Sequence, residues 1–266
     1  MKSPTLTIYV AYFIQFFKQK FEYRGDFIAG IVANIILTLS GLLFIVCLFS
    51  GEGVKALGAW SRDEVLFIYG YSMISMALFS SIAINLYGFS DRYIIQGEFD
   101  RVLLRPLGTL PQILFESFNL DSIGSLIIGL LTLGFASFQL ELTPSLIDVL
   151  WLIISAASGA IILLSVFVIL ASFSFHFEDR IGINPPFYNM IAFGRYPLPI
   201  FHPIIQFILQ TVVPFAFVAF YPATHYFNHE GFEMLCYATP LVAAITATIS
   251  GMCWSLGVKK YTSTGS

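Results

Sequence analysis

Charge is what this sequence has least of. Only 11% of its 266 residues are Asp, Glu, Lys or Arg, whereas 57% are apolar, and the mean hydropathy is +0.82. Soluble domains carry about a quarter charged residues. A shortfall of this size excludes an ordinary soluble protein and points to a polytopic membrane protein. So many apolar runs leave no room for an appended soluble domain, and a single membrane domain over 1–266 is expected. Cysteine is also scarce. Cys47, Cys236 and Cys253 are odd in number and lie in or beside apolar runs, which argues against a disulfide framework or a metal cluster and for buried, inert thiols. The motifs of soluble chemistry are missing as well. There is no GxxxxGK[ST] loop, nor even a Gly-Lys pair, to cradle ATP. There is no Gly-x-Ser-x-Gly elbow and no HExxH. No small-x-small cleavage site follows the first apolar run, so no cleavable signal peptide is expected.

What is present is a series of apolar stretches near the roughly 20 residues that cross a 30 Å hydrocarbon core. They predict an all-α membrane protein with six transmembrane helices at about 27–49, 65–87, 112–138, 146–173, 204–221 and 235–258, the fifth interrupted by Pro214. Ahead of them, 5–24 places Leu6, Val10, Phe13, Phe17 and Phe21 on one helical face and Thr7, Gln15, Lys18 and Glu22 on another. This predicts an amphipathic helix lying in the membrane interface. Six spans put both termini on one side. Of the thirteen Lys and Arg, only Lys55 and Arg62 fall opposite the termini, so the positive-inside rule puts both termini and the loops Gly88–Pro111 and His176–Pro203 in the cytoplasm. The second loop holds five prolines and cannot be one regular helix.

The charged stretch between spans two and three, with a coupling segment at about 89–107, is the first place to look for function. As a helix it would put Ile95, Phe99, Val102 and Leu103 on one face and Glu98, Arg101 and Arg105 on its neighbour, stopping before Pro106. The result is a short stub, greasy on one side and charged where another protein docks. The alternative is a loop whose arginines only set topology.

Ionisable groups at membrane depth are costly and functional by default, which singles out Glu116 and Asp121 in the third span. Five residues apart on a helix, they point about 140° from one another and form no obvious shared proton site. With Asn34 and Asn119 they are candidates for lining a translocation path. Asn34 and Asn85 are equally candidates for interhelical hydrogen bonds, and Ala243, Ala247, Gly251 and Ser255 form a small-residue packing stripe. His225 and His229, with Glu230 and Glu233 nearby, resemble a metal site in composition only; a solvated cluster is expected.

Three stretches carry a family resemblance: GEFDRVLLRPLGTL, FGRYPLPIF…VVPFAFVAFYPA over Phe193–Ala223, and the ending GVKKYTSTGS. In that order and spacing they resemble one subfamily of type-two ATP-binding cassette (ABC-2) exporter permeases, and the likeness covers essentially the whole chain. The resemblance implies a bacterial inner-membrane permease paired with a second permease subunit, as a heterodimer or a homodimer, and with a dimer of ATPase subunits. It implies that Glu98, Asp100, Arg101 and Arg105 lie near the ATPase on a coupling helix, that 5–24 is a connecting helix, and that Pro214–Asn228 joins the outer rim of the path. The chain itself would then be non-catalytic, with no cofactor of its own, ATP and magnesium residing on the partner ATPase, and with no nucleic-acid partner. Two alternatives are an ion-coupled secondary transporter or channel using Glu116 or Asp121, and an intramembrane enzyme whose sole foothold is the His225/His229 cluster.

Overall fold

The computed structural model describes residues 24–50, 56–177, 184–227 and 229–262. The expected interfacial helix, apart from Arg24, lies outside these residues, as do the last four. Five helices are long and apolar enough to cross a membrane: α1 (Arg24–Ser50), α2 (Arg62–Ile82), the run Leu120–Gln139, and two more at Leu146–Phe173 and Thr239–Lys260. The smaller helices in chain order are α3 (Ile84–Tyr87), α4 (Phe99–Leu103) and α5 (Thr109–Glu116). Then come α6 (Ile123–Gln139, the helical part of the third run), α7 (Leu146–Phe173), α8 (Asn184–Met190), α9 (Pro203–Phe207), α10 (Phe220–Ala223) and α11 (Thr239–Lys260). A two-residue hairpin, β1 (Ala56–Leu57) and β2 (Trp60–Ser61), turns through Gly58 at φ 65° just before α2. The face carrying 90–106 is termed proximal and the face carrying Trp60 distal.

α2 is the spine. It is the most buried of the long helices, and α6 and α7 pack along it while α11 packs on α7 and α1 on α6. Close approach of α2 and α6 depends on two glycines. A Cβ on Gly70 would sit 2.7 Å from the Leu133 nitrogen, and one on Gly129 would sit 2.8 Å from Met73 Cβ. Small residues let helices draw near where lipid supplies no hydrophobic drive between them. Polar bonds then fix the register of α1. Thr38 Oγ1 lies 2.9 Å from Ser125 Oγ, Ser125 donates to Asn34 Oδ1 at 2.7 Å, and the Tyr69 hydroxyl donates to the Thr38 carbonyl at 3.2 Å. At the distal face α2 and α7 begin with capping boxes, Ser61 with Glu64 and Ser145 with Asp148, which satisfy otherwise orphaned N–H groups.

Two expected spans differ in the structure. The third, expected as one helix over 112–138, is broken. α5 ends at Glu116, Ser117 is extended (φ −147°, ψ 150°), and a 3₁₀ turn at Leu120–Ser122, capped by the Asn119 side chain, leads into α6. Asn119 and Ser122 offer the backbone local side-chain hydrogen bonds that compete with a helix. Glu116 and Asp121 therefore do not share a helix, and the 140° relation does not apply.

The fifth span, expected at 204–221, is a hairpin. Pro203–Val212 and Phe215–Tyr226 meet at 77°. Both its ends lie at the distal face, since Ile200 lines a cleft with Trp60 and His229, and the Tyr226 hydroxyl donates to the Asp148 carbonyl at 2.6 Å. Its turn lies at mid-depth, where Ser75 of α2 donates to the Val218 carbonyl at 3.1 Å. With both ends held at one face, the bent pair reads as a re-entrant element in place of a broken span.

The crossing itself is made by Asn184–Ile200, part of the stretch expected as a loop. Tyr188 meets Tyr87 at the end of α3 (ring centroids 5.3 Å), Gly194 packs on the Phe215 carbonyl, and Pro199 reaches Trp60's cleft. Prolines 185, 186, 197 and 199 prevent a regular helix, so the segment crosses as α8 and two 3₁₀ turns, Ile191–Arg195 and Leu198–Ile200. Irregular backbone is tolerated at membrane depth when it is buried in protein.

Candidate functional site

The proximal segment begins as a π-helical turn, Ser90–Ile95, then breaks at Gly97, whose φ of 73° disfavours any residue with a Cβ. The break resets the helical phase, so the expected single face does not form. In α4, Phe99 and Val102 are buried, whereas Ile95 and Leu103 are 40% and 46% exposed and Leu104 is 85% exposed. The helix ends at Leu103, three residues before Pro106. Arg101 and Arg105 flank a cleft of about 100 Å³ with exposed side chains.

Glu98 lines the same cleft. Its carboxylate turns inward to Arg92, Nε to Oε2 at 2.6 Å. Arg92 is the hub of this end of the molecule. Its Nη2 lies 3.1 Å from Glu116 Oε1 on α5, and its Nη1 donates to Asn85 Oδ1 of α3 at 3.3 Å. The Tyr93 hydroxyl donates to the other Glu116 oxygen. Burial, and then the hydrogen bond to Glu116, push that phenol well above its usual range, so Tyr93 stays a donor. Asn85 Nδ2 donates to the Ile113 carbonyl at 2.6 Å, and Gln112 Nε2 donates to the carbonyls of Val102 (3.2 Å) and Leu107 (3.0 Å). The stub is thereby tied to α3 and α5 by fixed, partly charged hydrogen bonds.

Beneath the stub lies an aromatic cluster. Phe99 meets Phe175 at the end of α7 (5.0 Å) and Tyr261 at the end of α11 (4.8 Å), and Trp254 meets Phe89 and Phe175, each at 5.3 Å. Edge-to-face contacts at these separations add specific geometry to the burial. Burial and the neighbouring Asp100 carboxylate push the Tyr261 phenol up to about 12. The ends of α7 and α11 thus meet on one plug of five aromatic rings, and the segment that carries Asp100 and Arg101 touches the chain's C-terminal motif at Tyr261.

The intramembrane candidates separate. Asn34 and Asn119 line a cavity of about 300 Å³ beside α2. Asp121 does not line it; its carboxylate packs on Gly30 of α1, with Oδ1 buried and without a hydrogen-bond partner among the described residues. Glu116 belongs to the Arg92 network, so the two acids form no common site. His225 and His229 diverge too. His225 Nε2 lies 2.8 Å from Asp148 Oδ1 and His229 Nε2 lies 2.8 Å from Glu64 Oε1. Among the described residues no group of three or more His, Cys, Asp or Glu could hold a metal ion.

Sequence reasoning missed Arg92 and Arg195, counting both only as topological charges. Arg92 stands six residues before Glu98, a spacing that a straight helix would not bring together. Arg195 was read as a loop residue because the prolines around it hide a crossing.

These features define a multi-pass, all-α membrane protein in which a charged segment at the proximal face is bonded to the helices that adjoin it. A family model described as ABC-2 family transporter protein matches residues 35–265. The chain belongs to that family, and so to the membrane components of ABC transporters, which work with an ATPase in a membrane. No curated protein and no solved structure matches the chain.

Proposed function

We propose that this chain is the non-catalytic permease subunit of a bacterial inner-membrane exporter, in which a separate ATPase dimer, carrying ATP and magnesium, pushes on the proximal stub. The observation that carries the reading is the Arg92 hub. A push on α4 reaches α3 through Arg92 and Asn85, α5 through Glu116 and Gln112, and the ends of α7 and α11 through Phe99. Arg101, Arg105 and the exposed Leu103 and Leu104 form the outward surface, cationic with an apolar ridge, which suits a groove on another protein. Glu98 and Asp100 act one layer behind it, Glu98 on Arg92 and Asp100 beside Tyr261. A second permease subunit, the same chain or a diverged one, completes the path, with both termini cytoplasmic.

The test is the double charge reversal Arg101→Glu with Arg105→Glu. Membrane insertion and permease pairing should persist, while stimulation of the partner ATPase and export are lost. Coupled transport at the wild-type rate in that variant would sink the docking role.

A further inference from the structure

Arg195 sits at membrane depth, next to Gly194, which packs on the Phe215 carbonyl at the turn of the re-entrant hairpin. With Tyr69, Asn34, Asn119 and Ser122 it lines the cavity of about 300 Å³ enclosed by α1, α2, the start of α6 and the irregular crossing. An ionised side chain in the hydrocarbon region is expensive and is normally paired or turned to a polar cavity. Arg195 has the cavity. Among the described residues none of the ion pairs includes it, and its Nε is buried without a hydrogen-bond partner. Asp121 packs its carboxylate on Gly30 of α1, one helical turn from Asn34, and is not among the residues that line the cavity.

A guanidinium does not deprotonate, so this charge persists and calls for a counter-charge from outside the described chain. Its forked donors match the oxygens of a phosphate or carboxylate. Amide and hydroxyl groups of Asn119 and Ser122 supply neutral polar contacts on the same wall. The space is about ten times the share of one water, and reaches the size of small-ligand sites. It also has a way in. Leu37 lines it and is 71% exposed on the outer surface of α1, so the cavity opens sideways toward the apolar surroundings.

We propose that this cavity binds the oxyanion head group of an amphiphile, with the guanidinium of Arg195 as its counter-charge and the apolar chains left in the bilayer beside Leu37. Two sources share that chemistry, a resident acidic phospholipid and an acidic amphiphilic cargo. Only the cargo case rests on reading the chain as an exporter permease.

The purified full-length chain in neutral detergent is offered phosphatidylglycerol and phosphatidylcholine of equal chain length, and bound lipid is counted by native mass spectrometry. Wild type should favour phosphatidylglycerol by about tenfold or more. Arg195→Gln should abolish the preference, Arg195→Lys should keep part of it, and Arg62→Gln, on the distal surface, should leave it unchanged. Leu37→Trp, an exposed position where the larger side chain costs no packing, should lower retention of the acidic lipid by narrowing the entrance. No preference in wild type, or an unchanged preference in a folded Arg195→Gln variant, overturns the site. If Arg195→Gln does not fold, wild-type retention by Leu37→Trp overturns it. In the assembled complex with its ATPase, release of the Arg195-dependent lipid on ATP turnover marks cargo, and retention marks a resident lipid. The binding result stands apart from that arm, so a failed exporter reading and a failed site are told apart.

Discussion

Arg92 and Glu116 face each other across 3.1 Å, and that contact joins the turn below α2 to the end of α5. The two side chains are 40% and 34% exposed, so solvent screens part of their attraction. Glu116 also accepts the Tyr93 hydroxyl and Arg92 also holds Glu98, so each deletion leaves polar groups stranded. Arg92→Gln and Glu116→Gln should each lower stability by about 1–2 kcal/mol, and the double variant should lose clearly less than the sum. Thermal unfolding of the detergent-solubilised chain measures all three. Strictly additive losses would show that the two groups do not act together.

The aromatic plug predicts a steeper response. Phe99 is fully buried among Phe89, Phe175 and Tyr261, so Phe99→Ala should cost about 3–5 kcal/mol and Phe99→Leu much less. Export should fall with the first even in molecules that remain inserted, because α4 loses its footing on α7 and α11. Full export from folded Phe99→Ala would show that the plug does not transmit the push.

Tyr261 gives a pH signature. Its phenol is raised from about 10 to about 12 by burial and by Asp100. A raised folded-state value means that stability is fully present below pH 10 and is lost as pH climbs from 10 through 12, where the unfolded chain ionises first. The alkaline absorbance difference between wild type and Tyr261→Phe should therefore titrate near 12. A difference centred at 10 would place the phenol in free solvent, away from Asp100.

The helical membrane class was legible in the sequence because α7 is one unbroken apolar run opened by Ser145 and Asp148, and α2 opens the same way at Ser61 and Glu64. The stub's position was legible too, since its charges interrupt apolar sequence and Pro106 follows. What the stub's side chains do was not. Gly97 adopts a positive φ that resets the phase between Ile95 and Phe99, so Glu98 pairs with Arg92. The region 184–226 was misread for a related reason. Hydropathy weighs composition, and the apolar residues after Pro203 outweigh those between Pro186 and Pro199, although the latter make the crossing. A 77° bend at Val213–Pro214 leaves no mark in a hydropathy average.

At the distal face Glu64 serves two partners. One carboxylate oxygen closes the capping box with Ser61, accepting from its backbone N–H at 2.8 Å, and the other holds His229. His229 also packs on Trp60, with ring centroids 4.2 Å apart. Glu64→Ala removes the cap bond and the histidine's partner together, and should cost about 1–2 kcal/mol. It should also raise hydrogen exchange in Phe227 and the residues that follow while leaving α11 protected. Unchanged exchange there would show that His229 is held by Trp60 alone.

The re-entrant hairpin makes the sharpest prediction about topology. If Pro203–Tyr226 were a span, His202 and Phe227 would emerge on opposite sides of the membrane. The contacts put both at the distal face: His202 follows Ile200, which lies in the cleft with Trp60, and Phe227 meets Trp60 edge to face with ring centroids 5.9 Å apart. In a background with Cys47, Cys236 and Cys253 replaced by serine or alanine, single cysteines at 202 and 227 should both react with a membrane-impermeant maleimide added from outside intact cells, given the proposed topology with both termini cytoplasmic. A cysteine at Leu104, 85% exposed on the proximal stub, should react only after permeabilisation. Labelling of 202 and 227 from opposite sides would restore the single fifth span. It would also take Arg195 out of the membrane, and the anion site would fall with it.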